Sequence, residues 1–232
     1  MLNDSQANKS SRGLARKSRM TYKTTFRQYM NGKLKLETYQ KVGIAFLIVV
    51  FAGLIGWIYE AIFYFFNYGM TGFYMQGGNF LPWMNIYAIG ALIIILTTYK
   101  VRQKPWLVLL ISMVTTGIVE YVGGWLVYNL FNGARYWDYN TEILNWGNID
   151  GFVCFRSILC FGLSALLLMY VVLPFCIHLA KTMSRRAFLI LSISLFSIVM
   201  TDELYNLLAT HVFNWPNAVD FYKSIGLKYY GV

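Results

Sequence analysis

Five long apolar stretches dominate the chain after residue 42. They cover residues 43–67, 82–99, 106–131, 151–180 and 187–210. An α-helix needs about 20 mostly apolar residues to cross a hydrocarbon core about 30 Å thick. The second stretch is short and the fourth is long, so we expect a tilted or interrupted helix near Gly151. The pattern predicts an all-α integral membrane protein with about five transmembrane helices.

The composition excludes the two other broad classes of chain. Charged residues make up only 13% of the 232 residues, whereas soluble domains carry about 25%. Apolar residues reach 57% and aromatic residues 18%, so the chain can bury far too much apolar surface to remain disordered. A membrane protein is the class that remains.

The first 42 residues are basic and hold ten of the chain's 20 lysine and arginine residues. Their length and polarity differ from those of a cleaved signal peptide, so we expect the first apolar helix to remain as an anchor. Only Arg135, Lys223 and Lys228 fall in segments predicted to lie on the opposite side of the membrane. The positive-inside rule predicts a cytoplasmic N-terminus, an extracytoplasmic C-terminus and a multi-pass protein of the cell (plasma) membrane.

This topology divides the chain into three regions. They are a cytoplasmic arm at 1–42, a helical transmembrane domain at 43–210 and an extracytoplasmic C-terminal tail at 211–232. Within the arm, Tyr22, Phe26 and Tyr29 recur at helical spacing among basic residues, as in a short interfacial helix on anionic lipid. The alternative is a solvated, partly disordered arm whose charges only set the topology.

Ionisable residues also occur inside the predicted transmembrane helices. Each costs about 2.5–3.5 kcal/mol on insertion scales, so an intramembrane charge marks a functional site by default. With a helical rise of about 1.5 Å per residue, all of them fall in the outer half of the membrane: Glu60, Glu120, Arg156, Asp202 and Glu203. One base cannot neutralise four acids, so we expect a polar cavity that opens outward and binds substrate. Buried charges that only connect helices are the alternative.

The predicted outer loop at 134–150 adds a second group of candidates. It is dense in aromatic side chains, which are typical of the membrane interface. An interfacial belt does not account for the acidic and amide side chains placed among them, whereas a lid over the cavity does. The substrate-binding candidates therefore also include Trp137, Asp138, Tyr139 and Asn145.

Motifs for metals and cofactors are missing from the sequence. Cys154, Cys160 and Cys176 lie in apolar runs, and no cysteine or histidine spacing suits a zinc site. No P-loop motif occurs either. We therefore expect neither a metal nor a cofactor on this chain.

Several short motifs follow one another along the chain. They are GWIYE at 56–60, NFLP at 79–82, IYAIGA at 86–91, GIVEY at 117–121, YWDYN at 136–140 and NWGNIDG at 145–151. In this order they resemble the putative ABC-transporter type IV permease family, over about residues 43–180. The resemblance implies a transport function, and any ATPase must then be a separate subunit.

Together these features predict a permease-like, non-catalytic component of a transport or efflux system. Its acidic outer cavity would bind substrate or a lipid headgroup, with membrane lipids and a homodimer partner or second membrane subunit around it, and no nucleic acid. Two other hypotheses stay open. One is an intramembrane enzyme that acts on a lipid or isoprenoid, with Glu60 and Glu120 as acid and base. The other is a sensory or immunity protein that binds a partner through its outer loops.

Overall fold

The structure, a computed structural model, describes residues 21–67, 70, 74–130 and 132–229. The predicted arm at 1–20 therefore lies outside the described residues. The elements of the described part are α1 (Tyr22–Met30), α2 (Thr38–Asn67), β1 (Tyr74–Met75), α3 (Asn85–Thr98), α4 (Pro105–Leu130), α5 (Phe155–Leu167), α6 (Leu173–Thr182), α7 (Arg185–Leu208), α8 (Ala218–Ser224) and β2 (Lys228–Tyr229). Apart from a parallel pairing of β1 with β2 and an isolated bridge, these residues form helices and their connections.

Four helical rods of the described chain are long and apolar enough to cross a membrane: Thr38–Asn67, Pro105–Leu130, Phe155–Thr182 and Arg185–Phe213. The chain is thus a helical membrane protein. The second predicted span forms α3, which has 14 residues, and a 3₁₀ turn, Tyr99–Val101, that continues it; together they are about 27 Å long. The helix begins later than predicted because the chain before Asn85 is extended, with Met84 at φ −134° and ψ 126°.

The third rod begins later than its apolar run predicts. Residues ahead of it form turns, and the Ile149 amide donates to the Val153 carbonyl at 2.9 Å, so the helix starts only at Phe155. The rod then passes through a π-helical turn, Leu168–Val172, just before Pro174. Proline lacks the amide proton that an α-helix requires, and such local rewinding re-arranges the hydrogen bonds around it.

Helix α1 packs against the bundle beside α6. Thr25 is fully buried, and its hydroxyl lies 3.1 Å from Nδ1 of His178. Tyr29 is also fully buried, and its carbonyl accepts a hydrogen bond of 2.9 Å from Nε of Arg102. The guanidinium of Arg102 also stacks on the Tyr99 ring at 4.4 Å. Residues 22–30 of the arm therefore form a helix that is docked on the bundle.

Two glycines of α2 allow aromatic side chains from the following segment to lie directly on its backbone. A Cβ atom at Gly53 would overlap the Trp83 indole, and one at Gly56 would overlap the Tyr87 ring. The Trp83 indole also donates to the carbonyl of Val49 at 3.0 Å. These contacts fix α3 against the half of α2 that carries Glu60.

The C-terminal segment folds back over the same end of the bundle. After α7 the chain turns at Asn214, which has a φ of 51°. The Ala218 amide then donates to Asn206 Oδ1 at 2.8 Å, and the Tyr222 hydroxyl donates to the Phe80 carbonyl at 2.5 Å. The segment after Asn214 and the loop before α3 thus form one layer, together with the residues between α4 and α5. We call this the loop end of the bundle.

Candidate functional site

A cavity of about 830 Å³ lies at the loop end. Helices α2, α3, α4, α5, α7 and α8 all contribute to its wall. The predicted site residues that line it are Glu60, Glu120, Trp137, Asp138, Tyr139, Arg156 and Glu203. Asn145 and Asp202 are outside this lining; Asn145 lies in the connection between α4 and α5, and Asp202 lies in α7.

Glu60 projects from α2 toward α3. Its Oε1 accepts a hydrogen bond of 2.7 Å from the Tyr87 hydroxyl. The Tyr87 ring packs on Gly56 one turn earlier in α2 and stacks on Phe161, with ring centroids 5.6 Å apart. The position of this tyrosine is thus set by packing on both sides, and its hydroxyl is held at the carboxyl group.

Glu120 comes from the middle of α4 and is buried, with 6% of its surface exposed. Its Oε1 accepts a hydrogen bond of 2.5 Å from the Tyr139 hydroxyl, and its Oε2 lies 2.7 Å from Oγ of Ser157. Ser157 occupies the third position of α5, where it also caps the amide of Cys154 at 3.3 Å. Burial raises the pKa of Tyr139 well above its usual value, so this hydroxyl keeps its proton and donates.

Arg156 pairs with Glu142 rather than with either membrane glutamate. Its Nη2 contacts Oε2 of Glu142, whose other oxygen accepts a hydrogen bond of 2.8 Å from the Tyr64 hydroxyl. The guanidinium also lies 4.0 Å from the ring centre of Phe63, a distance suited to a cation–π contact. Burial raises the pKa of Glu142, whereas Tyr64 and Arg156 act in the opposite direction.

The two adjacent acids of α7 have different partners. Asp202 accepts hydrogen bonds from the backbone amides of Phe80 and Leu81, at 3.1 and 2.7 Å. Glu203 accepts from the side-chain amides of Asn79 and Asn85, at 2.8 and 2.6 Å. Asp202 thus anchors the loop before α3, whereas Glu203 contributes to the cavity wall.

The candidate loop residues hold the connection between α4 and α5 in its folded form. The Trp137 indole donates to the Phe152 carbonyl at 2.9 Å. Asp138 contacts Arg135 at 3.5 Å and accepts from the amide of Asn140 at 3.0 Å. The side-chain amide of Asn145 donates to the carbonyl of Tyr139 at 3.0 Å, which positions the tyrosine that contacts Glu120.

Residues 45–207 match the family described as "Putative ABC-transporter type IV". The chain belongs to that family. The match covers more than two thirds of the chain and includes every predicted site residue. No curated protein and no solved structure matches the chain. Membership in the ABC-transporter type IV family and the four long apolar rods fit a component of membrane transport.

Two features of this family member were missed by the sequence prediction. Glu142 was read only as part of an aromatic loop, although a buried arginine requires an acidic partner and this residue supplies it. Gln76 follows β1 and lines the cavity with 2% of its surface exposed. Neither its Nε2 nor its Oε1 has a hydrogen-bond partner among the described residues. No residue pattern distinguishes Gln76 from an ordinary loop amide.

The charges of the cavity wall are unevenly compensated. Among the described residues, the ion pairs within 4.0 Å are Arg135–Asp138 and Arg156–Glu142. Glu60, Glu120 and Glu203 therefore have hydrogen-bond donors but no cation at that distance. In the described part of the chain, no three histidine, cysteine, aspartate or glutamate side chains are grouped as metal ligands.

Proposed function

We propose that the chain is the membrane-embedded, permease-like component of a transport or efflux system, and that its cavity binds the cationic group of a substrate or lipid headgroup. The observation that carries this proposal is the set of three carboxyl groups, Glu60, Glu120 and Glu203, that line one cavity and have no basic side chain within 4.0 Å in the described part of the chain. Family membership supplies the transport context.

Burying an ionised carboxylate without a counter-charge costs free energy. An ionised carboxylate outside water requires a compensating cation or a bound proton. The one arginine of α5 that could compensate Glu60 or Glu120 is already paired with Glu142. The remaining negative charge is thus available to a ligand, and the unpartnered amide of Gln76 offers it a donor and an acceptor.

The shape of the wall supports an organic cation as this ligand. The three carboxyl groups come from α2, α4 and α7 and are distributed around a volume of about 830 Å³. Aromatic rings also line the cavity, including Tyr59, Phe63 and Phe161. Such rings attract organic cations through their faces.

The proposal includes the topology predicted from the sequence. The N-terminus is cytoplasmic, the loop end and the 211–232 tail face outward, α3 completes a fifth span, and the protein resides in the plasma membrane. The basic residues near Lys100, Lys104, Lys181 and Arg185 share the opposite end of the bundle with α1, which supports this orientation.

A separate ATPase subunit would bind at that opposite end. The connections there are short, since residues 102–104 precede α4 and residues 183–184 precede α7. Helix α1 therefore offers a surface for a partner at that end, and the sequence before it adds basic residues. A homodimer or a second membrane subunit would complete the path through the membrane, and lipids surround the bundle. Affinity purification of the full chain from native membranes, with and without residues 1–40, tests this: recovery of an ATPase only with the intact arm is expected.

Binding of tetraphenylphosphonium to the full-length protein in nanodiscs tests the cavity. We expect saturable binding that weakens at least tenfold in Glu60→Gln. The matched control is Glu37→Gln, which removes one exposed carboxylate at the opposite end of the bundle and should leave the affinity unchanged. Absence of saturable binding in the unmodified protein, or equal weakening by the two variants, would overturn the proposal.

A further inference from the structure

The hydroxyl group of Ser157 has more acceptors around it than it has protons. Its Oγ lies 2.7 Å from Oε2 of Glu120 and 2.8 Å from the carbonyl oxygen of Cys154. The same Oγ already accepts a hydrogen bond from the Cys154 amide at 3.3 Å. A serine hydroxyl has one proton to donate and two lone pairs that accept. It cannot therefore donate fully to both oxygen atoms.

The protonation state of Glu120 decides whether these contacts are satisfied. If Glu120 is ionised, one of the two short oxygen–oxygen contacts has no hydrogen between its atoms. If Glu120 carries a proton on Oε2, that proton is donated to Ser157, and the serine proton is donated to the Cys154 carbonyl. Oγ has a second lone pair that can accept this proton, because the Cys154 amide uses only one of the two. Oε1 then remains the acceptor for Tyr139.

We infer that Glu120 holds a proton on Oε2 while the cavity contains no cation, and that a cation bound in the cavity takes the place of this proton. The inference rests on the proposed cation-binding function and adds a coupling to it. The site would exchange one proton for one monovalent organic cation.

The other carboxyl groups of the wall lack this proton-counting constraint. Glu142 is ion-paired with Arg156. Glu203 accepts from two side-chain amides and is compatible with a charge. Glu60 accepts one hydrogen bond, from Tyr87, and its contacts do not specify the position of a proton. Glu120 is thus the group whose contacts specify a bound proton.

The charged and titratable groups that share the cavity with Glu120 come from every surrounding element. They are Tyr59, Glu60 and Tyr64 of α2, Tyr87 of α3, Arg135, Tyr136, Asp138, Tyr139 and Glu142 between α4 and α5, Arg156 and Cys160 of α5, Glu203 of α7, His211 just after α7, and Asp220 and Lys223 of α8. Arg156 and Arg135 are paired with acids, so neither is a free counter-ion for Glu120. Lys223 of α8 also lines the cavity, and among the described residues it is not within 4.0 Å of a carboxylate.

The exchange step is balanced in atoms and charge. The O–H bond of the Glu120 carboxylic acid breaks, and the proton passes to water in the cavity. The carboxylate that remains takes the cation as its counter-ion. The Ser157 hydroxyl then donates to Oε2 of Glu120 instead of to the Cys154 carbonyl. Because the cation requires the deprotonated form, its binding releases a proton and weakens as the pH falls.

Calorimetry on the full-length protein in nanodiscs measures this release. Tetraphenylphosphonium is titrated in buffers that differ in ionisation enthalpy, at several pH values. At pH values where Glu120 is protonated, we expect close to one proton released per cation and an affinity that falls about tenfold for each unit by which the pH is lowered. Cation binding with no buffer-dependent heat and no pH dependence would overturn the exchange while leaving the proposed function intact. Absence of cation binding would overturn both.

Two variants locate the proton. In Glu120→Gln, the amide still donates to Ser157 but has no exchangeable acid proton, so the release should disappear. In Glu203→Gln, another carboxyl group of the wall is neutralised, and we expect weaker binding with the same proton count. Release of a proton from Glu120→Gln would overturn the assignment.

Infrared difference spectroscopy on the unmodified protein gives a readout that does not depend on a variant folding. Cation addition should remove the carbonyl band of one protonated carboxylic acid and add a carboxylate band. A spectrum without loss of a carboxylic acid band would also overturn the assignment.

Discussion

The ion pair between Arg156 and Glu142 allows a quantitative test of the cavity wall. The two side chains are 9% and 2% exposed. The substitution Glu142→Gln leaves the Arg156 guanidinium buried without a counter-charge. Its remaining neighbours include the Phe63 ring, whose centre lies 4.0 Å away. Removal of one partner from a buried ion pair costs about 3–5 kcal/mol. For a chain of this size, such a loss lowers the unfolding temperature by roughly 6–20 °C.

A second ion pair in the neighbouring loop provides the matched control. Arg135 and Asp138 lie 3.5 Å apart, and their side chains are 26% and 31% exposed. An exposed pair contributes about 0–1 kcal/mol, and Asp138→Asn retains the oxygen that accepts from the Asn140 amide. We therefore expect Asp138→Asn to lower the unfolding temperature by less than about 4 °C.

Thermal unfolding of both variants in nanodiscs, followed by tryptophan fluorescence, measures the difference. The double substitution of Glu142→Leu with Arg156→Met removes both charges, so it should recover most of the stability that Glu142→Gln loses. If Glu142→Gln and Asp138→Asn unfold at the same temperature, the Arg156–Glu142 pair is hydrated. The cavity wall then does not contain carboxylates that lack charge compensation.

Three further outcomes are expected. Gly56→Val should destabilise the protein by about 1–3 kcal/mol, because its side chain would overlap a packed tyrosine ring; Gly90→Ala, whose Cβ would meet its nearest neighbour at 4.0 Å, should be neutral in the same unfolding assay. Arg102→Gln should release α1 and speed its proteolysis, whereas the exposed Lys104→Gln should not. Burial raises the pKa of Tyr222, so the folded protein favours the neutral hydroxyl. The contribution of this hydroxyl to the stability of the folded C-terminal segment is complete below about pH 10 and is lost as the pH rises through the raised pKa. In Tyr222→Phe this pH-dependent contribution should be absent. Limited proteolysis should then detect less release of the C-terminal segment as the pH is raised.

Most of what could be predicted about the fold and the site came from the apolar runs and from the spacing of the acids along them. Counting residues along each run placed Glu60 and Glu120 near the same end of their helices, and the structure brings both to one cavity. A helix has a fixed rise, so depth can be read from sequence position. The start of α5 at Phe155 could not be read in this way, because the preceding apolar residues form hydrogen-bonded turns.

Contacts between loops and helices could not be predicted from the sequence. Nothing in the spacing of Glu142 and Arg156 indicates that they meet, since the turn conformations of the loop between them set their separation. Asp202 shows the same limit. Its depth marked it as a substrate ligand, whereas its carboxylate accepts from the amides of Phe80 and Leu81. A carboxylate that binds backbone and one that faces a cavity look alike in a sequence.

If α3 forms the fifth span that we propose, the non-helical chain before it lies close to the hydrocarbon layer. Helix α3 and the 3₁₀ turn that continues it, Tyr99–Val101, are together about 27 Å long, so they nearly cover a layer about 30 Å thick. Non-helical backbone at that depth is tolerated only where it is buried in protein or lines a water-filled cavity, and each of its amide protons needs an acceptor. From Phe80 to Met84 every donor has one: two amides bind Asp202, Pro82 has none to satisfy, and the last two bind the carbonyls of Leu81 and Gly53. One acidic side chain from a distant helix thus supplies the acceptors for two amides of the chain that leads into α3.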